Sequence, residues 1–226
     1  MKKLTLAIIA LFATTTAFAQ NAVGFRGNLT VSNMTKFGLI ENITPDFKGL
    51  VSGGGAIFLE MPITENFSIQ PELSFMEKGF AVKEGINVGG AFLNTDINIP
   101  VNGKLRFKTD YIQVPLLAKY HFGDKTATHA YIAAGPAVGY LADAGITIRV
   151  LDIFPISSNV STDIFKPFEF SGIATVGFET PLNEKIMGFV EGRYEHGFSR
   201  VLDTPIVQLP VRNRTGSASF GIKINL

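Results

Sequence analysis

Tyr111-Ile112-Gln113-Val114-Pro115-Leu116-Leu117-Ala118-Lys119-Tyr120-His121-Phe122 decides the fold class. Ile112, Val114, Leu116, Ala118, Tyr120 and Phe122 fall on one side of a period-two pattern, and Gln113, Lys119 and His121 on the other. Successive side chains of a strand point to opposite faces, so this is a strand with one wholly apolar face and one mixed face.

Outward from this stretch, seven more segments alternate in the same way. Val23, Phe25, Leu29 and Val31 form the first apolar face, with Arg26, Asn28 and Thr30 between them. Val51, Ile57, Leu59 and Met61 form the second, after Gly53-Gly54-Gly55. Phe67, Ile69, Leu73 and Phe75 stand against Ser68, Gln70, Glu72 and Ser74. Ala130–Ala142 is apolar on both faces, so its facing stays open. Phe168, Phe170, Ala174, Val176 and Phe178 oppose Glu169, Ser171, Thr175 and Glu179. Val190 and Tyr194 oppose Glu191, Arg193 and Glu195. Ala218, Phe220, Ile222, Ile224 and Leu226 oppose Ser217, Ser219, Lys223 and Asn225.

No charge falls on the apolar face. The opposite face carries Arg26, Glu60, Glu72, Lys119, Glu169, Glu179, Glu191, Arg193, Glu195 and Lys223. A soluble sandwich places its charges on the solvent side of a compact apolar interior. An apolar outside with a polar inside is the pattern of a membrane barrel.

The connections agree. Residues 33–49, 79–104, 143–166 and 199–213 are long; residues 62–66, 123–129 and 180–186 are short and rich in Pro, Gly, Asn and Asp. Membrane barrels join their strands by short periplasmic turns and longer outer loops. Eight strands close without an edge, so the expected fold is an all-β, eight-stranded antiparallel transmembrane β-barrel with both termini on the periplasmic side. Pro71, Pro115 and Pro136 lie inside proposed strands, where each removes a ladder donor; they are expected to mark bulges or strand ends.

Composition excludes several functions. The 226 residues are 46% apolar and 17% charged, with 20 basic and 19 acidic residues, too near neutrality for an electrostatic nucleic-acid binder. The apolar content also excludes a disordered chain. Without cysteine there is no disulfide, thiolate metal site or thiol nucleophile. Met1-Lys2-Lys3, an apolar run from Leu4 to Phe12 and Ala17-Phe18-Ala19 describe a signal peptide over residues 1–19, leaving 20–226 as the barrel domain. No later stretch is long and apolar enough for a membrane helix. The expected location is the outer membrane of a Gram-negative bacterium.

The motif YIQVPLLAKYHF (Tyr111–Phe122), with its Pro-Leu-Leu run ending in Lys-Tyr, resembles a strand of the PorT-like outer-membrane β-barrel family. YIAAGPAVGYL (Tyr131–Leu141), with its Gly-Pro, resembles the next strand, and Gly172–Glu179 and Glu191-Gly192-Arg193-Tyr194 resemble later ones. The resemblance covers nearly all of 20–226 and implies an outer-membrane barrel. PorT itself is associated with a secretion system, a role this sequence gives no ground to extend. Leu226 departs from the aromatic residue at which such barrels often end.

An eight-stranded barrel is just wide enough for side chains to fill it. Arg26, Glu72, Lys119, Glu169, Glu191, Arg193, Glu195 and Lys223 are therefore expected to form a structural polar network in the lumen, since unpaired charge in a low-dielectric interior is costly. No catalytic, cofactor or metal residues are assigned. Glu195 and His196, with Ser199 nearby, are the nearest approach to a hydrolase set, but adjacent strand residues point apart. His121, His129 and His196 have no ligand spacing. Asn94, Asp96 and Asn98 lack the Gly and distal Glu of a calcium loop, and Ile86–Val101 reads instead as a hairpin. Function is expected in the loops. The expected role is a non-enzymatic anchor or binding protein whose partners are outer-membrane lipid, the barrel-assembly machinery, and a ligand or protein met through loops 33–49, 79–104, 143–166 and 199–213. Its rivals are a soluble exported carrier with an apolar inside, a lipid-modifying outer-membrane enzyme and a small-solute pore.

Overall fold

The computed structural model describes residues 21–34, 47–83, 87–88, 97–98, 103–150, 154–159, 166–199 and 212–226. The proposed signal peptide, Asn94 and Asp96 lie outside them. Eight long strands build the wall: β1 (Ala22–Met34), β2 (Phe47–Pro62), β3 (Phe67–Lys83), β6 (Gly103–Phe122), β7 (His129–Val150), β9 (Phe168–Pro181), β10 (Ile186–Gly197) and β11 (Asn213–Asn225). Three short strands, β4 (Asn87–Val88), β5 (Ile97–Asn98) and β8 (Phe154–Asn159), lie within the long connections. The wall runs β6-β3-β2-β1-β11-β10-β9-β7, and β6 pairs with β7 to close it. All its pairings are antiparallel. Closure removes every free edge, which a sheet surrounded by hydrocarbon requires.

Turns and termini share one end. Thr64 Oγ1 accepts from the Phe67 N–H at 3.1 Å, and Asn183 Oδ1 accepts from the Lys185 and Ile186 N–H groups at 2.9 and 2.8 Å. In the β6–β7 turn Asp124 Oδ1 accepts from the Thr126 N–H and hydroxyl at 2.8 and 2.7 Å, bonds that hold its carboxyl below the usual aspartate range. Gly123 adopts φ +89° there, a conformation that suits glycine. At the same end the Leu226 N–H donates to Asn21 O at 2.9 Å, where β1 meets β11.

Phe75, Leu116, Phe170 and Ile222 are 48, 50, 56 and 40% exposed on the outside, whereas Glu72, Lys119 and Lys223 are sealed within. An apolar-lined carrier is therefore excluded. β7, whose facing the sequence left open, turns Tyr131, Ala133, Ala137 and Leu141 inward and Ile132, Val138 and Tyr140 outward.

The prolines do not sit at bulges or strand ends, contrary to expectation. Each stands where one ladder is open while the other is kept. Pro71 pairs with Leu116 of β6, but the β2–β3 pairing skips from Phe58↔Glu72 to Met61↔Ile69. Pro115 pairs with Ala137 of β7 while β3–β6 skips from Pro71↔Leu116 to Ser74↔Gln113. Pro136 pairs with Gly172 of β9 while β6–β7 skips from Pro115↔Ala137 to Ala118↔Ala134. Register is the same on both sides of each gap, so the missing donor opens a local gap without shifting the strand. Beside the last gap, a Cβ on Gly135 would lie 2.0 Å from the Leu116 carbonyl oxygen, so only glycine fits.

The true register shifts lie toward the loop end, between Gly49 and Gly54 in β2–β3 and at Asp110/Tyr111 in β6–β7. The connections are also shorter than they read. β7 continues to Val150 and pairs with β8, and β4 pairs with β5 inside the segment expected to be a hairpin.

Candidate functional site: the charged lumen

Strand parity carries the polar residues of all eight strands into one narrow interior, where they assemble in three tiers. Toward the turn end, Glu60, Lys119, Glu179 and Lys223 come from β2, β6, β9 and β11, every second strand around the wall. Their charges alternate. Lys119 Nζ meets Glu60 Oε2 at 2.8 Å and also bonds Glu179; Lys223 Nζ meets Glu60 Oε2 at 3.0 Å and Glu179 Oε2 at 2.6 Å. The four groups make a closed ring with no net charge.

In the middle tier Glu72 is gripped from two sides. Arg26 and Arg193 each donate two bonds to its carboxylate, all at 2.9 Å, and Gln70 Nε2 adds one at 2.7 Å. Glu72 on β3 and Arg193 on β10 lie half-way around the wall from each other, so this bond spans the lumen. Both guanidinium groups also lie 3.3 Å from Glu191 Oε1, and the Tyr131 hydroxyl donates to Glu191 Oε2 at 2.7 Å. The planar fork of arginine matches a carboxylate in a way that an ammonium cannot.

Toward the loop end Lys78 Nζ bridges Glu169 Oε2 at 2.8 Å and Glu195 Oε1 at 2.7 Å. Gln113 Nε2 donates to Glu195 Oε1 and Asn213 Nδ2 to Glu169 Oε1. Aromatic rings also occupy the interior: Phe58 and Phe189 meet edge to face with centroids 5.7 Å apart, and Lys119 Nζ lies 4.1 Å from the Tyr131 ring centroid.

All eight residues expected in the lumen point inward and are divided among these tiers. Glu60 and Glu179 have the right parity in the sequence, but their part in closing a ring depends on distant strands. Lys78 lies beyond the alternation read for its segment, which stopped at Phe75 although β3 runs on to Lys83. Tyr111 and Tyr131, which the sequence assigns to neither face, are both buried inside.

The hydrolase set does not assemble. Glu195 is buried beside Lys78, His196 lies on the other side of the wall with its Nδ1 3.3 Å from the Tyr194 hydroxyl, and Ser199 Oγ accepts from the Phe170 N–H at 2.9 Å. His121 and His129, by contrast, converge. His121 Nδ1 and His129 Nε2 are 3.0 Å apart, next to Glu179. The sequence offers no ligand spacing for the pair; its signal is the place of His121 and His129 on either side of the tight β6–β7 turn, with Glu179 on the strand that pairs with β7.

Among solved structures, the chain is similar to Neisserial surface protein A (11% identity, 90% of this chain and 96% of that one, TM-score 0.48) and to the outer membrane protein OprG from Pseudomonas aeruginosa (12%, 92% and 97%, 0.48). It is also similar to Ail, the attachment invasion locus protein of Yersinia pestis (10%, 91% and 99%, 0.43). No curated protein matches it. Residues 18–203 match the family described as Outer membrane protein beta-barrel domain. That stretch takes in most of a chain whose exposed apolar belt surrounds a charged interior: the protein belongs to the outer membrane protein β-barrel domain family and resides in the outer membrane.

Proposed function

We propose that the protein is a non-enzymatic, non-conducting anchor that holds its long connections outside the cell for a ligand or a protein partner. One observation carries this reading: ion pairs cross the lumen at three levels, and the central pair, Arg193–Glu72, reaches from one side of the barrel to the other. A side chain cannot conduct solute and tie opposite walls together at once. The eight lumen residues are then structural.

The separation of Glu195 from His196 supports the non-enzymatic part, because a base needs its orienting carboxylate within hydrogen-bond reach. Other partners on this reading are outer-membrane lipid against the apolar belt and the barrel-assembly machinery during insertion, with no role for nucleic acid. The Pro-Leu-Leu…Lys-Tyr and Gly-Pro strands support placement in the PorT-like branch of the family. Planar-bilayer recording of the purified barrel tests the reading. A flat current trace is expected, and discrete open steps would overturn it.

A further inference from the structure

The two histidines of the turn end have each committed one ring nitrogen. His129 Nδ1 lies 2.9 Å from the Ala127 carbonyl oxygen, and His121 Nε2 lies 3.0 Å from Glu60 Oε1. Both partners are acceptors only, so both of these nitrogens carry hydrogen and donate. In the neutral rings the remaining nitrogens, His121 Nδ1 and His129 Nε2, are bare lone pairs. They face each other at 3.0 Å. Glu179 Oε2 completes a triangle, 3.4 Å from His129 Nε2 and 3.9 Å from His121 Nδ1. The Lys223 ammonium forms an ion pair with that oxygen at 2.6 Å, but the oxygen accepts no hydrogen bond from the described residues and so keeps its lone pairs for a ligand.

Three acceptors meeting without a donor between them repel one another until a cation occupies the space. A proton sits on one line and serves two of them; a metal ion serves all three. We propose that His121 Nδ1, His129 Nε2 and Glu179 Oε2 bind a late first-row divalent metal ion, of which Zn2+ fits best.

Tetrahedral bonds of about 2.0–2.1 Å place neighbouring donors roughly 3.3 Å apart, within the span of the three separations here. Two imidazoles and one carboxylate suit zinc or copper, whereas calcium and magnesium want oxygen. The Ala127 carbonyl and Glu60 carboxylate behind the rings are the outer partners that fix tautomer and orientation in protein metal sites. The charge ring is already balanced, and an added divalent ion stands beside Lys119 and Lys223. That repulsion weakens the site and favours ions at the strong-binding end of the first-row series over manganese or iron. Bound there, the ion would tie both sides of the β6–β7 turn to β9.

The test uses the untagged full chain, extracted from outer membranes in detergent and stripped with chelator. Addition of Co2+ should give the visible bands of a tetrahedral site, displaced by one equivalent of Zn2+, and Zn2+ should raise the unfolding temperature. His129→Ala should abolish the bands, while His196→Ala, which changes the histidine on the outside of the wall, should keep them. Mobility of unheated against boiled samples checks that each variant is folded, and His129→Gln replaces any alanine variant that is not. Folded wild-type protein without bands would overturn the proposal. So would bands that survive both His129 substitutions, or a histidine pair that responds to pH and ignores Zn2+.

Discussion

Along β6, Ile112, Val114 and Leu116 stand half-exposed to the outside, while Gln113 and Lys119 on the same strand are sealed inside. The two faces are held by opposite physics. On the outer face no side chain needs a particular partner, because hydrocarbon accepts any apolar shape. On the inner face the charged residues of the three tiers each meet an opposite charge on another strand, and the loss of a single group strands another. The outer face should therefore tolerate exchange of one apolar residue for another but reject charge, whereas the inner face should be sensitive to the loss of a single partner.

The largest expected effect lies at Glu72. It is the shared acceptor of Arg26 and Arg193, and its removal in Glu72→Ala leaves both guanidinium groups with Glu191, at 3.3 Å, as their one remaining carboxylate among the described residues. Breaking a buried ion pair from one side costs about 3–5 kcal/mol, because the orphaned charge remains desolvated. Guanidinium-induced unfolding of the barrel in detergent should show this loss. Adding Arg193→Met to Glu72→Ala should recover part of it; no recovery would mean that lost packing, and not stranded charge, dominates.

On the outer face Val114→Arg, in the middle of β6, should destabilise the barrel by about 2–4 kcal/mol in lipid vesicles, and Val114→Leu by almost nothing. If arginine were tolerated at that position as well as leucine, Val114 would lie outside the hydrocarbon belt.

The sequence shows this difference between faces unevenly. The outer face is legible because lipid imposes one rule at every second position, and Phe25, Leu73, Val114 and Phe178 obey it without reference to one another. Parity also points Glu72 and Arg193 inward, but their meeting depends on the closure of eight strands, which no local pattern encodes. Lys78 stays hidden because adjacent Glu77 and Lys78 put a charge on each face and break the alternation after Phe75, although β3 continues past them to Lys83. Small residues on both sides of β7 erase its alternation, so only the inward rings of Tyr131 and the packing of Ala133 and Ala137 against Leu117 and Ile173 decide its facing. The histidine pair was missed because metal-ligand spacings are learned within helices and loops, whereas here a turn folds His129 back beside His121 and the neighbouring strand supplies Glu179 directly across from His129.

The smallest effect sharpens the contrast from the other side. Lys108 on β6 and Glu77 on β3 form an ion pair near the register shift of β6–β7, with side chains 40 and 22% exposed, unlike the sealed pairs below. Water already solvates both groups, so the pair gains little Coulomb energy and must order two long side chains to form. Lys108→Ala should cost less than about 1 kcal/mol, and added salt should reduce even that. Glu72→Ala, by contrast, should keep most of its effect in salt, since a buried pair is poorly screened. Unfolding of both variants at low and high salt measures the two quantities together. Equal salt sensitivity would mean that water reaches the central tier, and the rule that each inner charge needs its own partner would then fail where it was expected to be strongest.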